Sequence, residues 1–170
     1  MVRECAVLAL LAMSSTGCEL ILDFSDSQIP IDAAPDAPYT DDECAYKEPN
    51  DTVASAQPIA PGETGPAAIC ANDPEDLDFY KFTVPANTAS VVVGITFMNR
   101  ASGDLDLKLL DSTGTMLAQS RGVTDSETIT CPAASPACAQ LAAGDYIFEV
   151  FPALMGAVNS YEINLAITPM

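Results

Sequence analysis

The sequence predicts an all-β chain, folded as a single antiparallel β-sandwich. Three observations carry that expectation. From Asp76 onward apolar residues recur at every second position, the period of a strand with one buried face. Turn-forming clusters, PANT, NRASGD, DSTGT and AAGD, punctuate the apolar runs at short intervals. No segment after Ala60 sustains the 3.6-residue period of an amphipathic helix.

Each strand follows from its own pattern. In DFYKFTV, Tyr80, Phe82 and Val84 share a face, and in SVVVGITF, Val91, Val93, Ile95 and Phe97 do the same. DLDLKLL sets Leu105, Leu107 and Leu109 inward against Asp104, Asp106 and Lys108. DYIFEVFP aligns Tyr146, Phe148 and Val150, and YEINLAI aligns Tyr161, Ile163, Leu165 and Ile167. Short strands at this spacing, without intervening helices, pack as two layers around one core.

The first residues read differently. MVRECAVLALLAMSSTGC has one arginine, an apolar run from Cys5 to Met13 and small residues before Cys18, the layout of a secretory signal over residues 1–17. Ser15-Thr16-Gly17-Cys18 resembles a bacterial lipobox, with Ser15 where leucine is usual, and that resemblance implies lipidation of Cys18. Residues 18–43 are rich in Asp, Pro, Ala and Ser without a period, a composition that cannot offset chain entropy by burial and suits a disordered, acidic tether. The folded domain is expected over residues 44–170. The localisation that follows is an exported lipoprotein of the outer membrane or cell surface, with a periplasmic or secreted protein as the alternative.

Export assigns the remaining cysteines to disulfides. Cys44, Cys70, Cys131 and Cys138 form an even set with three possible pairings. The favoured pairing joins Cys131 to Cys138 around the small loop CPAASPAC, and Cys44 to Cys70. The second bridge would draw Glu48–Asp51 toward the acids of 73–78.

Composition excludes several functions. The chain has 24 acidic and 6 basic residues and a net charge of -18, which repels nucleic acid and attracts cations. It contains no histidine, so the commonest general base and transition-metal ligand is missing. There is no G-x-S-x-G motif, and nothing singles out a pair of glycosidase carboxylates. The expectation is therefore a protein that is not an enzyme, with a hydrolase kept as a remote alternative.

Five segments taken in order, EPNDTVASAQPI, DLDFYKFTV, SGDLDLKLLDSTGTMLAQS, AAGDYIFEVF and YEINLAI, resemble the bacterial pre-peptidase C-terminal domain. The resemblance spans roughly Asp42 to Ile167. It implies a jelly-roll-like sandwich without catalysis, and, as in calcium-binding relatives of bacterial collagenases, a calcium site. Carried over by residue, the ligands are Glu48, Asn50, Asp51, Glu75 and Asp78, with Asp73 and Asp76 as further candidates. The position of an additional upstream acid falls near Tyr46, which offers no carboxylate.

Donor chemistry leads to the same place independently. Calcium takes six to eight oxygens from carboxylates, amides and backbone carbonyls, and EPND with DPEDLD offers such a set. The competing reading makes EPNDT the cap of a short helix at TVASA and DPED a solvated turn. Asp104 and Asp106 are secondary candidates for ion contact. The functional expectation is a calcium-stabilised, envelope-tethered module that binds an extracellular protein or polysaccharide. The alternative is a structural or accessory envelope lipoprotein with no soluble ligand.

Overall fold

The computed structural model describes residues 39–70, 76–98 and 103–170. The described fold lies within residues 38–170. The expected signal segment, Cys18, most of the expected tether, Asp73 and Glu75 lie outside the described residues.

Eleven strands form the described domain. They are β1 (Gln57–Pro58), β2 (Pro66–Ile69), β3 (Asp78–Val84), β4 (Thr88–Phe97), β5 (Leu105–Asp111), β6 (Met116–Ser120), β7 (Ser126–Cys131), β8 (Ala133–Ala134), β9 (Ala137–Cys138), β10 (Gly144–Pro152) and β11 (Asn159–Pro169). One sheet runs β1-β3-β10-β5-β6 and the other β2-β11-β4-β7, while β8 and β9 make a small hairpin. Every pairing is antiparallel except β1 with β3. A sandwich results, because each sheet has one face too apolar to leave in water.

The period-two positions meet between the sheets. Tyr80, Phe82 and Val84 of β3, Leu105, Leu107 and Leu109 of β5, and Phe148 and Val150 of β10 face Val91, Val93 and Ile95 of β4 and Tyr161, Ile163 and Leu165 of β11, in one continuous core. Tyr80 stacks obliquely on Phe148, with ring centroids 5.0 Å apart. The strands β2, β6 and β7 are shorter and do not stand out by alternation alone. They become strands because β11, β5 and β4 offer them edges to pair with.

The five-stranded sheet is also covered on part of its outer face. Phe79, Leu110 and Ile147 pack there with Ala56, and Val53 lies over them. That cover comes from the segment preceding β1, whose course also places the candidate site. Val53–Ser55 is a single 3₁₀ turn, and Thr52 and Ser55 cap it reciprocally. Upstream, helix α1 (Asp41–Cys44) is capped in the same way by Thr40 and Glu43. It occupies the end of the segment expected to be a tether, because that cap and the disulfide at Cys44 order it.

Candidate metal centre

Cys44 is bonded to Cys70 and Cys131 to Cys138, the favoured pairing among the three that the sequence allowed. The first bridge fixes the end of α1 beside the end of β2. Tyr46 then packs its ring over Gly65, where a Cβ would stand only 2.3 Å from the ring carbon Cζ. Any larger residue there would push the Tyr46 ring aside. Lys47 crosses to the Pro58 carbonyl at 2.6 Å and to Glu63 at 2.6 Å. The chain next passes the start of β3, where the Phe79 amide donates to the Asn50 carbonyl at 3.0 Å. In this way the EPND segment arrives against DLD of β3.

Three carboxylates converge at that crossing. Single oxygens of Glu48, Asp76 and Asp78 all lie within 4.8 Å of one another. Asp76 and Asp78 are only 3% and 1% exposed, and Glu48 is half-buried. Each has one donor of its own. The Asn50 amide donates to Glu48 Oε2 at 2.8 Å, and the Cys70 amide donates to Asp76 Oδ2 at 2.6 Å. The Tyr161 hydroxyl donates to Asp78 Oδ2, and the Tyr80 hydroxyl lies 2.9 Å from that of Tyr161. The acid cluster is thus tied by hydrogen bonds to the middle of the core.

Asn50, one of the expected ligands, lies beside these acids. Its residue is fully buried, yet neither its side-chain oxygen nor its nitrogen closes a well-formed hydrogen bond. A buried amide left in that condition loses the water it had in the unfolded chain and gains nothing back. It lies against Asp78, whose charged form its proximity favours. An oxygen-seeking cation would take the amide oxygen and the carboxylates together.

Electrostatics describe a site short of positive charge. Burial raises the pKa of Asp78 well above the ordinary carboxylate range, Asp76 and Glu48 push it further in that direction, and Tyr161 opposes. Burial also raises Asp76, against the Cys70 amide, and the neighbouring Asp51 adds to the rise. Glu48 moves up for the same first reason, with the Asn50 backbone amide opposing and Asp76 and Asp51 reinforcing. Three acids driven toward protonation in one small volume need either protons or a cation.

The expected ligands sort as follows. Glu48, Asn50 and Asp78 come together, and Asp76, expected as a substitute, joins them. Asp51 is exposed at the rim, close enough to act on Asp76 and Glu48. The cap of the 3₁₀ turn is Thr52, so neither Asn50 nor Asp51 is occupied in capping. Asp104 and Asp106 sit elsewhere, at the start of β5. Asp106 is buried, lies 3.8 Å from Arg121 and has its pKa raised to about 6 by burial, with Asp104 and Glu127 adding to the rise and Arg121 opposing. The roles of Tyr161 and the Cys70 amide were not legible beforehand. Tyr161 sits in its strand's apolar pattern and reads as core, and a backbone donor leaves no mark in a sequence.

The comparisons agree with this architecture. No curated protein matches the chain in sequence. Among solved structures, the fold is similar to the pre-peptidase C-terminal domain of a collagenase from Bacillus anthracis, with a TM-score of 0.50 and 15% identity, covering 65% of this chain and 93% of that one. At that identity the likeness speaks for the fold alone. The family model of the bacterial pre-peptidase C-terminal domain matches residues 76–152. Two disulfides and such a domain are consistent with an exported protein. From β3 through β10 the chain carries a bacterial pre-peptidase C-terminal domain, a β-sandwich module of a typically non-catalytic kind.

Proposed function

We propose that the protein is a non-catalytic, calcium-stabilised β-sandwich that is tethered to the cell envelope and binds an extracellular protein or polysaccharide. The observation that carries the calcium reading is Asn50, wholly buried with both side-chain polar atoms unpartnered, next to three carboxylates within 4.8 Å of one another. Glu48, Asp76 and Asp78 would supply carboxylate oxygens and Asn50 an amide oxygen, with Asp51 at the rim. An all-oxygen donor set with net negative charge fits a hard divalent cation and suits calcium better than softer metals. The bound ion would neutralise charge and join the segment before β1 to β3.

The binding reading draws on the outer face of the four-stranded sheet. Thr96, Ser126, Thr128 and Asn164 are exposed there, and Gly94 lies between Thr128 and Asn164. This face presents hydroxyl and amide groups with one acid, Glu162, paired beside Thr96, and it is suited to hydrogen-bonded contact with an extended polymer. Tethering rests on the sequence around Cys18, and a Cys18→Ser variant that still incorporates radiolabelled palmitate would rule it out.

Calorimetric titration of the chelator-stripped protein with calcium tests the central claim. Saturable binding near one equivalent that disappears in Asp78→Asn supports it, and no heat in the wild type refutes it. Panels of extracellular proteins and glycans, probed with and without calcium, then separate a binding module from a structural one.

A further inference from the structure

We infer that the Cys44–Cys70 disulfide sets the cation affinity of the acidic centre, so that the site binds tightly when this bridge is oxidised and weakly when it is reduced. The inference rests on the calcium reading above and concerns its regulation. The bridge touches both halves of the site. Cys44 lies just upstream of Glu48, on the segment that brings Glu48, Asn50 and Asp51, while the amide of Cys70 donates directly to Asp76 Oδ2 at 2.6 Å. One covalent bond therefore joins the chain of the first ligand group to a residue hydrogen-bonded to the second.

The remaining ties on the upstream side are weak by comparison. Tyr46 reaches Glu63 only at 3.4 Å, and the Lys47–Glu63 pair is part-exposed and screened by water. The Asn50 carbonyl accepts one bond from Phe79, and beyond it Val53 and Ala56 anchor the chain in the outer apolar cluster. Glu48 is thus held from below by packing and from above by the disulfide. Without a cation, Asp76 and Asp78 repel Glu48, and the bridge is what opposes its departure. Ordering this segment in advance removes a cost that ion binding would otherwise bear.

The two bridges differ in access. Cys131 is 1% exposed and Cys138 is 7% exposed, whereas in the first bridge Cys70 is 6% exposed but Cys44 is half-buried, so the difference lies at Cys44. A dithiol reductant reaches the first bridge more readily. Its thiolate attacks one cysteine sulfur to give a mixed disulfide, and its second thiol displaces the protein. Two electrons and two protons pass to Cys44 and Cys70, which become thiols, and the reductant leaves as its own disulfide.

The experiment titrates calcium into the purified protein in three forms: oxidised, dithiol-treated and alkylated at Cys44 and Cys70 as verified by mass, and as the Cys44→Ser/Cys70→Ser variant. Dissociation constants about 10 to 100 times higher in the second and third forms are expected, the range seen when groups supporting metal ligands are lost. Cys131→Ser/Cys138→Ser should stay within about twofold of the wild type, since that loop contributes no ligand. Linkage provides a second readout that needs no variant to fold. Saturating calcium must shift the thiol–disulfide equilibrium of Cys44–Cys70 toward the disulfide by the same factor. Equal affinity in the oxidised and reduced forms, or an equilibrium indifferent to calcium, overturns the inference. Absence of binding in the oxidised wild type overturns the calcium reading instead.

Discussion

Replacing Asp78 by asparagine is expected to have opposite effects with and without calcium. The substitution keeps the shape of the side chain and removes one charge from a centre where carboxylate oxygens approach within 4.8 Å. Two unit charges at that distance, in an effective dielectric of about 20, repel by about 3 kcal/mol per pair. Burial first, and the neighbouring acids after it, raise Asp78, Asp76 and Glu48 above the ordinary carboxylate range, so that the native protein relieves part of that repulsion by retaining protons. A raised carboxylate pKa means that the native state binds more protons than the unfolded chain. Stability in chelator must then fall as pH rises from about 4, where the unfolded groups ionise, through the native values. Asp78→Asn removes part of this penalty and should stabilise the ion-free protein by about 1 to 2 kcal/mol at pH 8, and by little at pH 4. For a domain of this size each kcal/mol moves the melting temperature by about 3 to 6 °C. With calcium at a hundred times its dissociation constant the wild type gains about 2.7 kcal/mol and the variant gains none, so their order reverses. Thermal melts of both proteins from pH 4 to 8, in chelator and in calcium, measure all of these differences. If the ion-free wild type becomes more stable with rising pH, or melts with the variant at pH 8, the repulsive centre is not there.

Further outcomes follow from the same structure. Asn50→Ala should leave the chelator-treated melting point within about 1 kcal/mol of wild type, because it deletes an amide that makes no hydrogen bond, while weakening calcium about 10- to 100-fold by calorimetry. Asp106 should titrate near 6 by NMR, and its burial should cost stability progressively as pH rises from about 4 through 6. Asp106→Asn is accordingly expected to melt higher than wild type at pH 8 and with it at pH 4, after allowance for its contact with Arg121. Cys131→Ser/Cys138→Ser opens a bridge that spans 7 positions and should cost about 2.5 kcal/mol in denaturant unfolding. Leu107→Ala, wholly buried between the sheets, should cost about 2 to 5 kcal/mol in the same assay.

Strands with strict alternation were legible from the chain alone. Tyr80, Phe82 and Val84, or Val91, Val93 and Ile95, declare their face because a strand has two sides and one of them is buried. β2, β6 and β7 were not legible, since short runs such as PAAI and MLAQS owe their conformation to the neighbours they pair with. The outer apolar cluster was hidden for a related reason. Phe79 and Ile147 sit on the face that alternation assigns to solvent, and only the returning segment with Val53 and Ala56 covers them.

What the sequence determined by itself was the class of the fold and the two acidic segments, EPND and DPEDLD, from which the family resemblance picked the candidate ligands, because periodicity and donor chemistry are local properties written in residue type and spacing. Tertiary structure decided which members of that set meet. Asp76, expected only as a substitute, joins Glu48 and Asp78, while Asp51 remains at the rim. It also supplied the Tyr161 hydroxyl and the Cys70 amide, which reach the site from β11 and from the end of β2. Convergence of this kind depends on how the sheets pair and where a disulfide holds the chain, and those distances are set by contacts between residues far apart in sequence.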